Sequence, residues 1–188
     1  MLLISKGCNI DCQNIYGVTP LIAAALKGHK TICESLLRAS CKIDIHEDKE
    51  CETALMKAAS NGHIEVCKLL LMNECNIHFQ NCDGDTALIK AAFSGHVEVC
   101  EALINAGSHL DVQNKKGLTA LLTAAKHHRI PCVVALIKAG CDHSLKDRDG
   151  NTAMDNLQRA YKRSVLAWIR SLLGCEPRQI MEVQVSLI

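Results

Sequence analysis

The chain of 188 residues has no apolar run near the ~18 residues that a membrane span requires, and "MLLISKG" is too short for the apolar region of a signal peptide. It also lacks an excess of one charge: 21 Lys+Arg stand against 20 Asp+Glu, and the formal net charge of +1 gives no reason to expect a nucleic acid or another polyanion. Proline occurs only three times, and 48% hydrophobic with 22% charged residues is not the composition of a disordered chain. No C-x-x-C pair is present, which removes the common zinc-ligand spacing, and neither "GCNID" nor "CDGDT" has the spacing of a phosphate-cradling glycine loop. A folded, soluble protein remains, with no cofactor and no metal expected. Its default location is the cytoplasm, with the nucleus as the alternative.

What the sequence does contain is repetition. "TALMKAASNGHIEVCKLLL" begins at Thr53, and "TALIKAAFSGHVEVCEALI" begins 33 residues later at Thr86. Thr19, Thr53, Thr86, Thr119 and Thr152 are spaced by 34, 33, 33 and 33 residues, and each opens a T-x-[LM] step into an alanine-rich pattern. Apolar positions such as Leu55, Ala58 and Ala59, then Ile64, Cys67, Leu70 and Leu71, recur at three- and four-residue intervals. That periodicity predicts two short amphipathic helices per unit. Gly28, Gly62 and Gly95 fall between them, where the first helix must end with a residue at positive φ.

These residues resemble the ankyrin repeat, whose period is 33 residues and whose signature is T-P-L-H-x-A. The resemblance covers about residues 1–173. Only Thr19-Pro20-Leu21 retains the proline, and the signature histidine is replaced by Ile22, Met56, Ile89, Leu122 and Asp155. The resemblance implies an all-α ankyrin-repeat solenoid of helix-turn-helix units with projecting β-turn hairpins. It also implies that His29, His63 and His96, at the start of each second helix, tie adjacent loops together. The register gives a partial repeat at 1–14, repeats at about 15–47, 48–81, 82–114 and 115–147, a C-terminal cap at 148–173, and a tail at 174–188.

Irregular positions carry their own expectations. Met1 falls in mid-repeat, which leaves Ile22 and Leu26 poorly covered and suggests a fragment, an alternative start, or an array completed by another domain. One extra residue lies in "DIHEDKECET", and Cys51 replaces the hairpin glycine found as Gly17, Gly84, Gly117 and Gly150, so this hairpin should be longer and differently turned. His128 occupies a helix-ending glycine position, and Pro131 sits in the first turn of the following helix, where its missing N–H does no harm. Asp155, Asn156, Gln158, Arg159, Lys162 and Arg163 make the last unit polar, as an end cap requires, and Trp168 should seal its interface.

Seven of the twelve cysteines follow the repeat, with Cys33, Cys67 and Cys100 at one register position and Cys8, Cys41, Cys75 and Cys141 at another. Equivalent positions in stacked helical units lie about 8–10 Å apart, beyond the ~7 Å Cα limit for a disulfide. Buried free thiols acting as small hydrophobes are therefore expected, and with them a reducing compartment. The pair His127-His128 has no serine or cysteine nucleophile with an orienting carboxylate set beside it by any motif. No catalytic residue is assigned, and the chain is not read as an enzyme.

Function then rests on surface. In arrays of this kind the hairpin tips and the exposed end of each first helix line a concave face where partners bind. By register that face carries Tyr16, Val18, Leu26 and Lys27, then Glu50, Glu52 and Asn61, then Asp83, Asp85 and Phe93, then Lys115, Lys116, Leu118, Lys126 and His127, then Arg148. The order is apolar, acidic with an aromatic, then basic. The whole chain shares the asymmetry, with 9 Lys+Arg against 13 Asp+Glu up to His109 and 12 against 7 from Leu110 onward. Exposed apolar groups serve as anchors and flanking charges select the partner.

The expected function is non-catalytic protein–protein interaction, a scaffold or adaptor binding a protein or peptide of complementary charge order. Plain solvated surface is the competing reading of those charges. The other functional readings are a regulatory or targeting segment of a larger enzyme or channel and, last, an intrinsic enzyme. In the tail, Met181, Val183, Val185 and Leu187 alternate with polar residues, the pattern of an extended strand. The terminus Ser186-Leu187-Ile188 resembles a ligand for a PDZ-type domain at Ile188, with a disordered end or a docked strand as alternatives.

Overall fold

The structure is a computed structural model that describes residues 8–158 together with Ile169 and Ser171. Among these residues there are nine helices and no sheet: α1 (Pro20–Leu26), α2 (Lys30–Arg38), α3 (Ala54–Ser60), α4 (Ile64–Met72), α5 (Ala87–Ser94), α6 (Val97–Asn105), α7 (Ala120–Lys126), α8 (Ile130–Lys138) and α9 (Ala153–Gln158). A lone antiparallel bridge joins His46 to Thr53 at the base of one hairpin. The all-α solenoid is thereby observed. The tail and its terminal Ile188, and the cap residues Arg159, Lys162, Arg163 and Trp168, lie outside the described residues.

The repeated threonine sets where each inner helix begins. Thr19, Thr53, Thr86 and Thr119 are extended and buried, and each Oγ1 accepts the N–H three residues on, at 3.2, 3.4, 3.3 and 3.2 Å. One of the four orphan amides at each helix start is thus satisfied. At Thr152 the cap is reciprocal: its Oγ1 accepts the Asp155 N–H at 3.2 Å, and an Asp155 carboxylate oxygen accepts the Thr152 N–H at 2.8 Å.

Each inner helix stops against the next repeat. Gly28 and Gly62 turn at φ +71° and +74°, and a Cβ there would come within 2.6 Å of the His63 and His96 rings. Both the backbone angle and the space demand glycine. His63 Nε2 meets the Leu26 carbonyl at 3.1 Å, and His96 Nε2 meets the Ser60 carbonyl at 3.2 Å. These histidines do tie adjacent loops. In the next step Arg129 takes the same register, and its Nε donates to the Phe93 carbonyl at 3.1 Å. His128 holds positive φ, as the missing glycine predicts, and Pro131 lies in the first turn of α8.

Packing proceeds strictly between neighbours. Inner helices stack in the order α1, α3, α5, α7, α9, and outer helices in the order α2, α4, α6, α8. The buried core combines Leu21, Leu55, Leu88 and Leu121 of the inner row with Leu36, Leu70, Leu103 and Leu136 of the outer row. Ile22, expected to be open, is buried at 1% exposure, while Leu26 stays partly exposed. The loops add a polar ladder, in which Asp11, Asp44 and Asp111 accept the amides of Lys42, Asn76 and Asp142 in the following repeat at 2.8, 2.8 and 2.9 Å. In the cap, Asn156 is buried, whereas Asp155 and Gln158 are exposed.

Thr86→Ala removes one cap at the centre of the array and should lower the unfolding free energy by about 1 kcal/mol, as read from urea denaturation. Thr86→Ser keeps the accepting oxygen and should recover most of the loss.

Candidate functional site

Five hairpins project from the stack, and each is shaped by its first polar side chain. Asn14 Oδ1 accepts the amides of Tyr16 and Val18, Asn81 Oδ1 those of Asp83 and Asp85, Asn114 Oδ1 those of Lys116 and Leu118, and Asp147 Oδ1 those of Asp149 and Asn151, all at 2.8–3.0 Å. The second hairpin is one residue longer, as the spacing predicts, and there Glu47 replaces the shorter side chain. Its carboxylate accepts the amides of Lys49 at 3.3 Å and Glu50 at 2.8 Å. Neighbouring tips are joined by one backbone bond per step: Asp48 N–H to Tyr16 O, Cys82 N–H to Glu50 O, Lys115 N–H to Asp83 O, and Arg148 N–H to Lys116 O, at 2.9–3.3 Å. A continuous, internally bonded rail of tips results.

The expected surface residues divide into three groups on this rail. Tyr16 is 63% exposed and its neighbour Ile15 87%, Leu26 is partly exposed, Lys27 is exposed and Val18 is half-buried. In the middle, Glu50, Asn61 and Asp83 are exposed, and Asp85 is half-buried with its carboxylate accepting from Asn114 Nδ2 at 2.7 Å. At the far end Lys115, Lys116, Lys126, His127 and Arg148 are exposed. Neither the three lysines nor Arg148 forms an ion pair among the described residues. Phe93, 51% exposed, meets the His127 ring edge-on with centroids 4.4 Å apart, so the aromatic group of one repeat adjoins the basic group of the next. Burial, with the charges of Arg129, Lys126 and His128, holds the His127 imidazole below its ordinary range, so the ring is neutral at pH 7.

Two residues assigned to the surface are not there. Glu52 is buried at 2% exposure and Leu118 at 7%. Leu118 is apolar at a register where Asp85 stays partly wet, and it turns inward. Glu52 is drawn inward by two cations that the register did not single out: Lys57 Nζ lies 2.6 Å from one carboxylate oxygen and Lys90 Nζ pairs with the other. Lys57 also reaches Glu47 at 3.6 Å and Glu50 at 3.5 Å. The acidic middle is therefore partly neutralised from beneath. Its signal in the sequence was the shared lysine of "LMKAA" and "LIKAA", at one register of consecutive inner helices.

The cysteines require one further correction. Cys51 and Cys82 form a disulfide with Cα atoms 5.4 Å apart. They occupy different register positions in neighbouring hairpins, so the distance rule for equivalent positions does not separate them. Cys33, Cys41, Cys67, Cys75, Cys100, Cys132 and Cys141 are buried free thiols, as expected, and Cys8 and Cys12 are exposed. Burial pushes the Cys67 and Cys75 thiols up to about 12. No group of three or more potential metal ligands is assembled among the described residues. An apolar cavity between α7, α8 and α9 is lined by Leu121, Val133, Ile137, Ala153, Met154, Leu157 and Ile169, with His143 at its margin. It adjoins neither His127 nor His128.

The model of the family described as ankyrin repeats (3 copies) matches residues 1–81 and 70–147. The chain belongs to the ankyrin-repeat family. No curated protein matches the sequence significantly. Ankyrin repeats generally mediate protein–protein interaction and are typically modules without enzymatic activity. In this ankyrin array no helix among the described residues is long and apolar enough to cross a membrane.

The ionic cluster gives the array a pH signature. Burial alone would raise the Glu47 carboxyl, but the amides of Glu50 and Lys49 and the Lys57 charge outweigh it and hold the group below its ordinary 4.5. Its contribution to stability is present above 4.5 and is lost as pH falls through the folded value. Burial would lower Lys57, yet Glu52, Glu47 and Glu50 hold it above its ordinary 10.5, so its contribution is lost only as pH rises past that range. In urea denaturation from pH 7 to pH 3, the midpoint of Glu47→Gln should fall less steeply than that of the native sequence; equal slopes would remove Glu47 from the acid response.

Proposed function

We propose that this array is a protein-interaction module, a scaffold or adaptor, that receives an extended protein segment along its rail of hairpin tips and the adjoining ends of the inner helices. The segment is basic opposite Glu50 and Asp83 and acidic opposite Lys115, Lys116, Lys126 and Arg148. Tyr16, with Leu26 and Lys27 near it, and Phe93, backed by His127, supply the anchors. Val18, Asn61 and Asp85 border this track, whereas Glu52 and Leu118 act beneath it as supports.

The observation that carries the reading is the contrast in charge pairing along one rigid rail. Lysines beneath the middle tips are consumed by Glu47 and Glu52, while those on the far tips are left exposed without an ion pair among the described residues. Unpaired charges on a backbone held by its own hydrogen bonds can meet a partner at little ordering cost. Large apolar groups exposed on the same face add the area that anchors need.

Capture of binding proteins with the full chain, quantified by mass spectrometry, tests this. Tyr16→Ala with Phe93→Ala should weaken the main captured partner by about 30-fold or more, the loss expected of an anchor worth ~2 kcal/mol. Lys115→Glu with Lys116→Glu should abolish capture that Glu50→Lys leaves altered in the opposite charge sense. If both sets leave the captured proteins and their amounts unchanged in folded variants, the rail is not the binding face.

A further inference from the structure

We propose that Cys51 and Cys82 are a reversible thiol–disulfide exchange site for a low-molecular-weight disulfide of the glutathione class, set at the tips of the second and third hairpins. The structure describes its closed form.

Three features single out this pair. Its Cα separation of 5.4 Å lies within the span that a disulfide bridges, about 4.4–6.8 Å. The two residues approach because a tip-to-tip backbone bond ends beside them: the Cys82 N–H donates to the carbonyl of Glu50, the residue directly before Cys51. Cys51 stands at a hairpin position that is glycine in the four other repeats, and it holds φ 55° there, which carries its side chain toward the next tip. Access is the third feature. Cys82 is exposed and Cys51 half-buried, an access that among the described cysteines only Cys8 and Cys12 share, whereas seven other thiols are buried in the array and beyond the reach of a solvent reagent. Several of those are also pushed up by burial, Cys33 to about 11 and Cys141 to about 12, so little thiolate is present to compete.

The chemistry is balanced exchange. The Cys82 thiolate attacks one sulfur of glutathione disulfide, the small-molecule S–S bond breaks, and one glutathione thiolate leaves. The Cys51 thiolate then attacks the Cys82 sulfur of the mixed disulfide and expels the second glutathione thiolate. The protein loses two electrons and two protons, and glutathione disulfide gains them as two thiols. Excess glutathione reverses both steps. On the reading that the tips receive a partner, closure fixes Glu50 and Asp83 at one spacing. The exchange itself does not depend on that reading.

The full-length protein is equilibrated in buffers of reduced or oxidised glutathione, quenched with acid, alkylated, digested and examined by mass spectrometry. The expected result is a Cys51–Cys82 linked peptide in oxidised buffer that disappears in reduced buffer, with the buried thiols unchanged in both. In Cys51→Gly, which restores the glycine of the other hairpins and so protects folding, exchange should stop at a glutathione adduct on Cys82. The proposal is overturned if Cys51 and Cys82 are alkylated equally in both buffers, if the native protein carries only separate adducts, or if Cys82 links to Cys8 or Cys12 instead. These readouts involve no binding partner, so failure here and failure of the proposed binding face are separately visible.

Discussion

Close approach of neighbouring inner helices is the constraint on which the array depends. Each of the four complete inner helices carries two consecutive alanines, at 24/25, 58/59, 91/92 and 124/125, and all eight are buried. A side chain that ends at Cβ lets helix backbones stack closely, and the longer leucines on either side then fill the remaining space. The spacing of the inner row is also the spacing of the hairpins. Larger residues at these alanines would spread the helices and pull apart the backbone bonds that join one tip to the next. The rail is thus an indirect product of residues that never reach the surface.

Because each repeat touches only its neighbours, linkage between units is local and has to be renewed at every step. The renewal uses few devices: a His or Arg over the preceding glycine turn, an aspartate that accepts an amide of the following loop, and one tip-to-tip bond. His78 stands where Asp11, Asp44 and Asp111 stand in other repeats, and there the aspartate bond gives way to a stacked contact with the His109 ring, 4.0 Å between centroids. The device changes while the junction persists.

Helix positions, threonine caps, the glycine turns and the longer second hairpin were all legible in the sequence, since each follows from spacing within one repeat. Interactions that cross repeats at unequal register were not. Reading Glu52 as surface was reasonable for a glutamate before a capping threonine, but two lysines from successive helices converge beneath it. Cys51 and Cys82 escaped for the same reason: comparing only equivalent positions ignored the diagonal between adjacent tips. The exposure of the tip residues Tyr16, Glu50, Asp83, Lys115 and Arg148 was readable because it depends on their place in the turn and little on their neighbours, and that of Phe93 because it stands near the end of an inner helix.

The second hairpin shows how a one-residue insertion is accommodated. Where the other loops use one oxygen of Asn or Asp to gather the amides two and four residues on, this longer loop uses both carboxylate oxygens of Glu47 for the amides two and three residues on. The turn of the second hairpin is thus held by a carboxylate with two accepting oxygens, where each of the other four is held by a single side-chain oxygen.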